Sequence, residues 1–183
     1  ELLLPGGIDA VIIMPLAIRL NLTRPGCHWF FEDISVLHAS MVRRWESKTT
    51  VNLVDRCAAD ASSISEGLFK PMDCWLDPTL FDARLDLAIR NWARVNVDLQ
   101  QRVTQADTRR IKAVAEMFAR HGFTYEQAEV RSLTVIYTQI GYISMYESEN
   151  PQERLARVQH YVELFAGAAP DPTDVDKFMA RHQ

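Results

Sequence analysis

Residues 124–146 constrain the fold more than any other stretch. Leu133, Val135, Ile136, Tyr137, Ile140, Tyr142, Ile143, Met145 and Tyr146 surround a single helix almost completely. A helix apolar on every side must be covered on every side. A chain of 183 residues builds one sizeable core or two small lobes. The economical source of a second cover is therefore a partner subunit. Residues 152–165 add a two-sided helix, with Leu155, Val158, Val162 and Phe165 on one face and Tyr161 and Leu164 on another. Together the two helices predict a four-helix homodimer interface. Its expected centre is Leu133, Ile136, Ile140, Ile143, Leu155, Val158, Val162 and Phe165.

The remaining pattern is also helical, so the expected class is all-α. Leu37, Met41, Trp45, Thr49, Leu53 and Cys57 fall four apart, on one face of a long helix capped by Asp33 or Ser35. Residues 62–78 are less regular, with Gly67, Pro71 and Pro78 as breakers. Helical spacing returns over residues 79–95 and 98–121, the latter closed by Gly122, and a last turn is expected over 175–181.

Near the start, Ile13, Leu16, Ala17 and Leu20 share a helical spacing, and Asn21 follows as a residue that tolerates left-handed backbone. Leu22, Thr23, Arg24 and Pro25 open a second short helix that carries Cys27, His28, Trp29 and Phe31; Asp33 then starts the long one. Two short helices joined by a tight turn form a helix-turn-helix, whose second helix can enter a major groove. Thr23, Arg24 and His28 are the candidates to face DNA, since Thr and Arg donate to phosphates and Arg can read guanine. Trp29 and Phe31 read as the core of this lobe.

The order Gly7-Ile8-Asp9-Ala10-Val11, Leu16-Ala17, Leu22-Thr23-Arg24 and His28-Trp29-Phe30-Phe31-Glu32-Asp33 resembles the TetR family of transcriptional regulators. A second block, from Leu85 to Arg94, then Asp107-Thr108-Arg109-Arg110, then Arg131, Tyr137 and Gly141, looks like the regulatory half of one TetR subgroup. The resemblance implies a helix-turn-helix DNA-binding domain over residues 1–50, its first helix partly missing, and a larger helical ligand-binding and dimerisation domain over 51–183. It further implies a homodimeric repressor that binds double-stranded operator DNA and is released by a small-molecule effector. The two reading helices would then match half-sites roughly 34–36 Å apart. Pro25, His28, Phe30 and Ile34 stand where the family commonly has a small residue, Tyr, His and a basic residue. Those departures define an alternative: a dimeric small-molecule-binding or scaffold protein with an eroded DNA-reading surface.

Charge and composition bear on that choice. A net charge of −4 argues against non-specific coating of nucleic acid. Within residues 1–50, Arg19, Arg24, Arg43, Arg44 and Lys48 balance Glu1, Asp9, Glu32, Asp33 and Glu46. No apolar run reaches the ~20 residues of a membrane span, and no signal peptide is visible. The start of the chain, Glu1 to Leu4 before Pro5-Gly6-Gly7, reads as the last turn of a helix that began earlier. Cys27, Cys57 and Cys74 show neither metal-ligand nor disulfide spacing, so a reduced, cytoplasmic setting is expected.

No catalytic constellation, metal site or cofactor is expected. Cys27 and His28 are adjacent on a helix and point in different directions, so they form no nucleophile–base pair. An effector pocket is expected to be mostly apolar with a few polar groups. Trp45, Thr49, Met72, Trp75, Asn91, Trp92, Met117 and Tyr137 are its candidate lining. Arg90, Asp107, Arg109 and Arg110 read as internal ion pairing, Arg90 with Asp107 foremost, rather than as ligand-binding charges.

Overall fold

The computed structural model describes residues 2–23, 33–145 and 149–182. Within them the chain is all-helical. A short α1 (Leu3–Gly6) and a 3-10 turn (Ile8–Ala10) lead into α2 (Ile13–Leu20). A long rod follows, made of α3 (Ile34–Glu46), a π-helical turn (Ser47–Val51) and α4 (Asn52–Ala58). Next come α5 (Ile64–Leu76), α6 (Ala83–Ala93), α7 (Val97–Arg120), α8 (Tyr125–Ser144), α9 (Pro151–Ala166) and α10 (Pro172–Ala180).

Side-chain caps set most helix starts. Asp33 accepts from the amides of Ser35 and Val36 and begins the rod. Thr124 and Gln127 form a reciprocal capping box on α8. Asn21 ends α2 with φ +52°, the left-handed turn expected from its side chain. Gly167 closes α9 at φ +79°, where an added Cβ would sit 2.9 Å from the Arg131 guanidinium. Against expectation, Gly67 and Pro71 do not interrupt helix formation. Both lie buried inside α5, whose apolar face is held by the core. One lost backbone bond at Pro71 is offset by that burial, and Gly67 packs beside Met117 and His121, where an added Cβ would lie at an ordinary 3.4 Å contact.

Two apolar clusters fill the molecule. The larger gathers Leu53 and Cys57 of the rod with α5, α7, α8, α9 and α10, where Phe69 stacks on Phe178 at 4.6 Å. The smaller joins Leu3, Val11, Val42 and Trp45 to Ala88, Ile89, Leu99 and Val103, and so spans both sides of residue 50. His38 strengthens that junction. Its Nε2 lies 3.0 Å from the Val11 carbonyl, and its ring meets Trp92 edge-on at 5.3 Å.

Between the clusters lies a buried charged centre. Asp86 is 0% exposed and Arg110 3%. The Arg110 guanidinium donates to Asp86 (3.2 Å), to Thr49 Oγ1 (2.7 Å) and to Thr50 Oγ1 (3.0 Å). Asp86 also accepts from Trp45 Nε1 and from Arg90, each at 2.7 Å. Arg90 forks onto Asp107 at 2.6 and 2.7 Å, the internal ion pair that the sequence suggests. Thr49 and Thr50 are neighbours in sequence, yet both face one guanidinium. An α-helix turns about 100° per residue, whereas the wider π turn over Ser47–Val51 opens the backbone enough to present both.

Burial pushes the Asp86 carboxyl up, but Arg110 and then Arg90 outweigh it and hold the group below the ordinary carboxylate range. Asp86→Asn should cost about 3–5 kcal/mol in urea unfolding near neutral pH, because it leaves buried cationic charge under-compensated. A depressed folded value means the carboxylate's contribution is complete above the unfolded value of about 4 and is lost as pH falls through the lower folded one. The stability gap between wild type and Asp86→Asn should therefore narrow as pH drops below about 4. A gap that stays constant into acid would contradict this account.

Candidate functional site

The expected DNA-facing segment lies only partly within the described residues. The helix α2 and its left-handed end at Asn21 are in place, and the Leu22 amide returns to the Ala17 carbonyl at 2.9 Å. Thr23 follows, exposed, at the end of that turn. Arg24 and His28, with Pro25, Cys27, Trp29 and Phe31, lie outside the described residues.

In the larger cluster, α5, α8 and α9 enclose a cleft of ≈ 520 Å³, part of it open to solvent. Its walls are apolar: Met72, Leu76, Val135, Val158, Tyr161 and Phe165. Charged groups gather at one side. Glu149 accepts from the Tyr142 hydroxyl and from Arg157. Arg154 donates to the Trp75 carbonyl at 2.9 Å and lies 4.8 Å from the centre of the Tyr142 ring. Two further lining residues, Trp75 and Gln139, carry polar atoms without partners. Among the described residues, Trp75 Nε1 and Gln139 Nε2 are the buried side-chain atoms that make no hydrogen bond. An unpaired buried donor costs about 1–3 kcal/mol, a cost that an accepting group beside it removes. Trp75 and Gln139 also line a smaller cavity with room for about one water molecule, whose wall includes Asp86 and Arg110.

The expected pocket lining divides accordingly. Met72 and Trp75 line the cleft. Trp45 and Thr49 are fully buried in the charged centre, engaged with Asp86 and Arg110. Met117 is core, and Trp92 packs on His38. Asn91 and Tyr137 are exposed and lie outside both cavities, because each sits on the solvent side of its helix. The sequence reading did not single out Thr138, Gln139, Arg154 and Arg157, which line the cleft. Gln139 carried a readable signal: it interrupts the apolar run of Val135, Ile136, Ile140 and Ile143.

Much of the expected dimer centre is placed inside the protomer itself. Ile136, Ile143, Val158, Val162 and Phe165 are buried within the protomer's own core, covered by α5, α7 and the opposing helix of the α8–α9 pair. Leu133, Ile140 and Leu155 are half-buried. The apolar groups that face outward on these helices are others: Tyr125, Val130, Tyr137 and Met145 on α8, and Leu164 on α9.

Comparison with known protein families, with characterised proteins and with solved structures finds no match to this chain. Among the described residues no cluster of His, Cys, Asp and Glu could hold a metal ion, and no helix is long and apolar enough to cross a membrane.

Cys57 and Cys74 are buried, and burial is the leading cause that pushes their thiols up, to about 12 and about 11. Thiolate is the reactive form, so both should be inert in the folded protein. In a Cys27→Ser background, iodoacetamide at pH 8 should label neither thiol until denaturant unfolds the chain. Labelling at the rate of a free thiol under native conditions would refute that assignment.

Proposed function

We propose that this protein is a TetR-like transcriptional regulator: a homodimeric repressor that binds operator DNA and responds to a small effector. The observation that carries the reading is the connection of its parts. Helix α2 ends in a left-handed turn at Asn21, as a helix-turn-helix requires, and the rod from Ile34 to Ala58 runs from that region into the larger cluster. The rod is gripped along its length. Glu46 pairs with Arg102 at 2.7 and 2.9 Å, Lys48 donates to the Thr79 carbonyl, and Asn52 donates to the Leu80 carbonyl. A change in α5–α8 packing would therefore reach the rod and alter the spacing of two reading helices in a dimer. The cleft is an apolar enclosure with a few polar groups, the composition suited to an effector.

The dimer of this proposal uses the outward faces of α8 and α9. Tyr137 is 61% exposed and Leu164 68%, on helices whose inner faces are already covered. Leu164→Asp and Tyr137→Asp together should convert a sedimenting dimer to a folded monomer, since neither side chain supports the protomer core. Unchanged sedimentation of the double variant would place the interface elsewhere.

DNA binding is tested by selecting duplexes from a random pool and titrating the winner against salt. If Arg24 contacts phosphate, Arg24→Ala should weaken all sequences alike and lower the salt slope by about one unit; if it reads a base, about 1–3 kcal/mol of discrimination should vanish at one position. Ile34→Lys should tighten binding at low salt. Weak enrichment that ignores sequence and Arg24 would favour the eroded, ligand-binding alternative.

A further inference from the structure

We propose that the cleft between α5, α8 and α9 binds a mainly apolar organic carboxylate, whose oxygens accept hydrogen bonds from Trp75 Nε1 and Gln139 Nε2. This names the effector chemistry of the regulator proposed above, and rests on that reading only for the consequence of binding. Trp75 is 8% exposed and its indole nitrogen can donate but never accept. That nitrogen and the Gln139 amide nitrogen are both buried and lack a partner, on two residues that line the cleft. Whatever completes the Trp75 N–H must bring an acceptor, and the Gln139 amide can turn its NH2 to the same group.

The charge around them selects an anion. Arg157 is shared between Glu149 in the cleft wall and Glu153 at 3.8 Å. Glu149 also accepts from the Tyr142 hydroxyl, whereas Arg154 donates to the Trp75 carbonyl and has no carboxylate partner among the described residues. An ammonium head would meet the Trp75 N–H, which cannot accept from it, and the Arg154 charge. A carboxylate would satisfy both donors and be attracted to it. Most of the rest of the wall, from Met72 and Leu76 across to Val158 and Phe165, is apolar and suits a hydrocarbon or aromatic body.

Calorimetric titration of the full chain with naphthoate and with naphthylmethylammonium tests this, because the two probes share a body and differ in head. Naphthoate should bind saturably and the ammonium at least about tenfold more weakly. Trp75→Phe and Gln139→Leu should each weaken naphthoate about 5- to 20-fold, the loss of one hydrogen bond to a charged acceptor. Leu76→Trp, which fills the cleft and leaves both donors, should abolish binding. Gln139→Leu should also melt no lower than wild type without ligand, since it removes an unpaired donor; a clear fall would mean that the amide serves the fold instead. Equal binding of the two probes, unchanged affinity in both donor variants, or no saturable naphthoate binding at millimolar concentration would overturn the proposal. No DNA enters the titration. Its failure leaves operator binding standing, and absence of operator binding leaves the carboxylate site standing.

Discussion

The Arg110 guanidinium is the group on which the arrangement of helices depends. A buried cation is tolerated only when its donors are met, and here the acceptors come from the rod and from α6. Three elements are thereby fixed at one point, in both distance and rotation. The requirement extends into backbone geometry: Thr49 and Thr50 can both reach Arg110 because the rod widens into a π turn at that position. Downstream of that turn the rotation of the rod is set, which puts Asn52 against the Leu80 carbonyl and Leu53 and Cys57 into the larger core. Trp45 completes the centre by donating to Asp86 while its ring lies 5.5 Å from the guanidinium carbon. The two apolar clusters are thus not independent bodies. They meet across a polar hinge with defined hydrogen-bond directions.

Much of this is readable from local chemistry, and what is not has a common cause. Asp33 as a cap, Asn21 as a left-handed stop and the Arg90–Asp107 pair follow from side-chain type and spacing alone. So does the inward face of α7, where Arg110 falls in register with Val103, Ala106, Ala113 and Met117, while its neighbour Arg109 is exposed. Local chemistry misjudges positions where tertiary packing overrides propensity. Gly67 and Pro71 are breakers in isolation, but α5 is held on its apolar side by α7 and α10. The helix spanning residues 125–144 shows the limit most clearly. Its all-round apolar surface says that it must be covered, and nothing in the pattern assigns a face to each cover. Ile136 and Ile143 went to the protomer core and Tyr137 to the surface. The cleft is harder still to read, because α5, α8 and α9 each contribute a few residues from distant parts of the chain.

The position of Trp75 and Gln139 ties the cleft to the hinge. Both side chains line the cleft and also a small cavity whose wall includes Asp86 and Arg110. An occupant that draws their N–H groups toward the cleft acts on the packing beside the group that grips the rod. Distance alone would not make this a switch. A ligand shifts an equilibrium only by its difference in affinity between two arrangements, so at least one of these side chains must sit differently in each. Because Arg110 already meets Asp86, Thr49 and Thr50, any group displaced toward it must compete with satisfied charge-assisted bonds. The direction of least resistance for the Trp75–Gln139 pair is therefore toward the cleft, the side on which a ligand would stand.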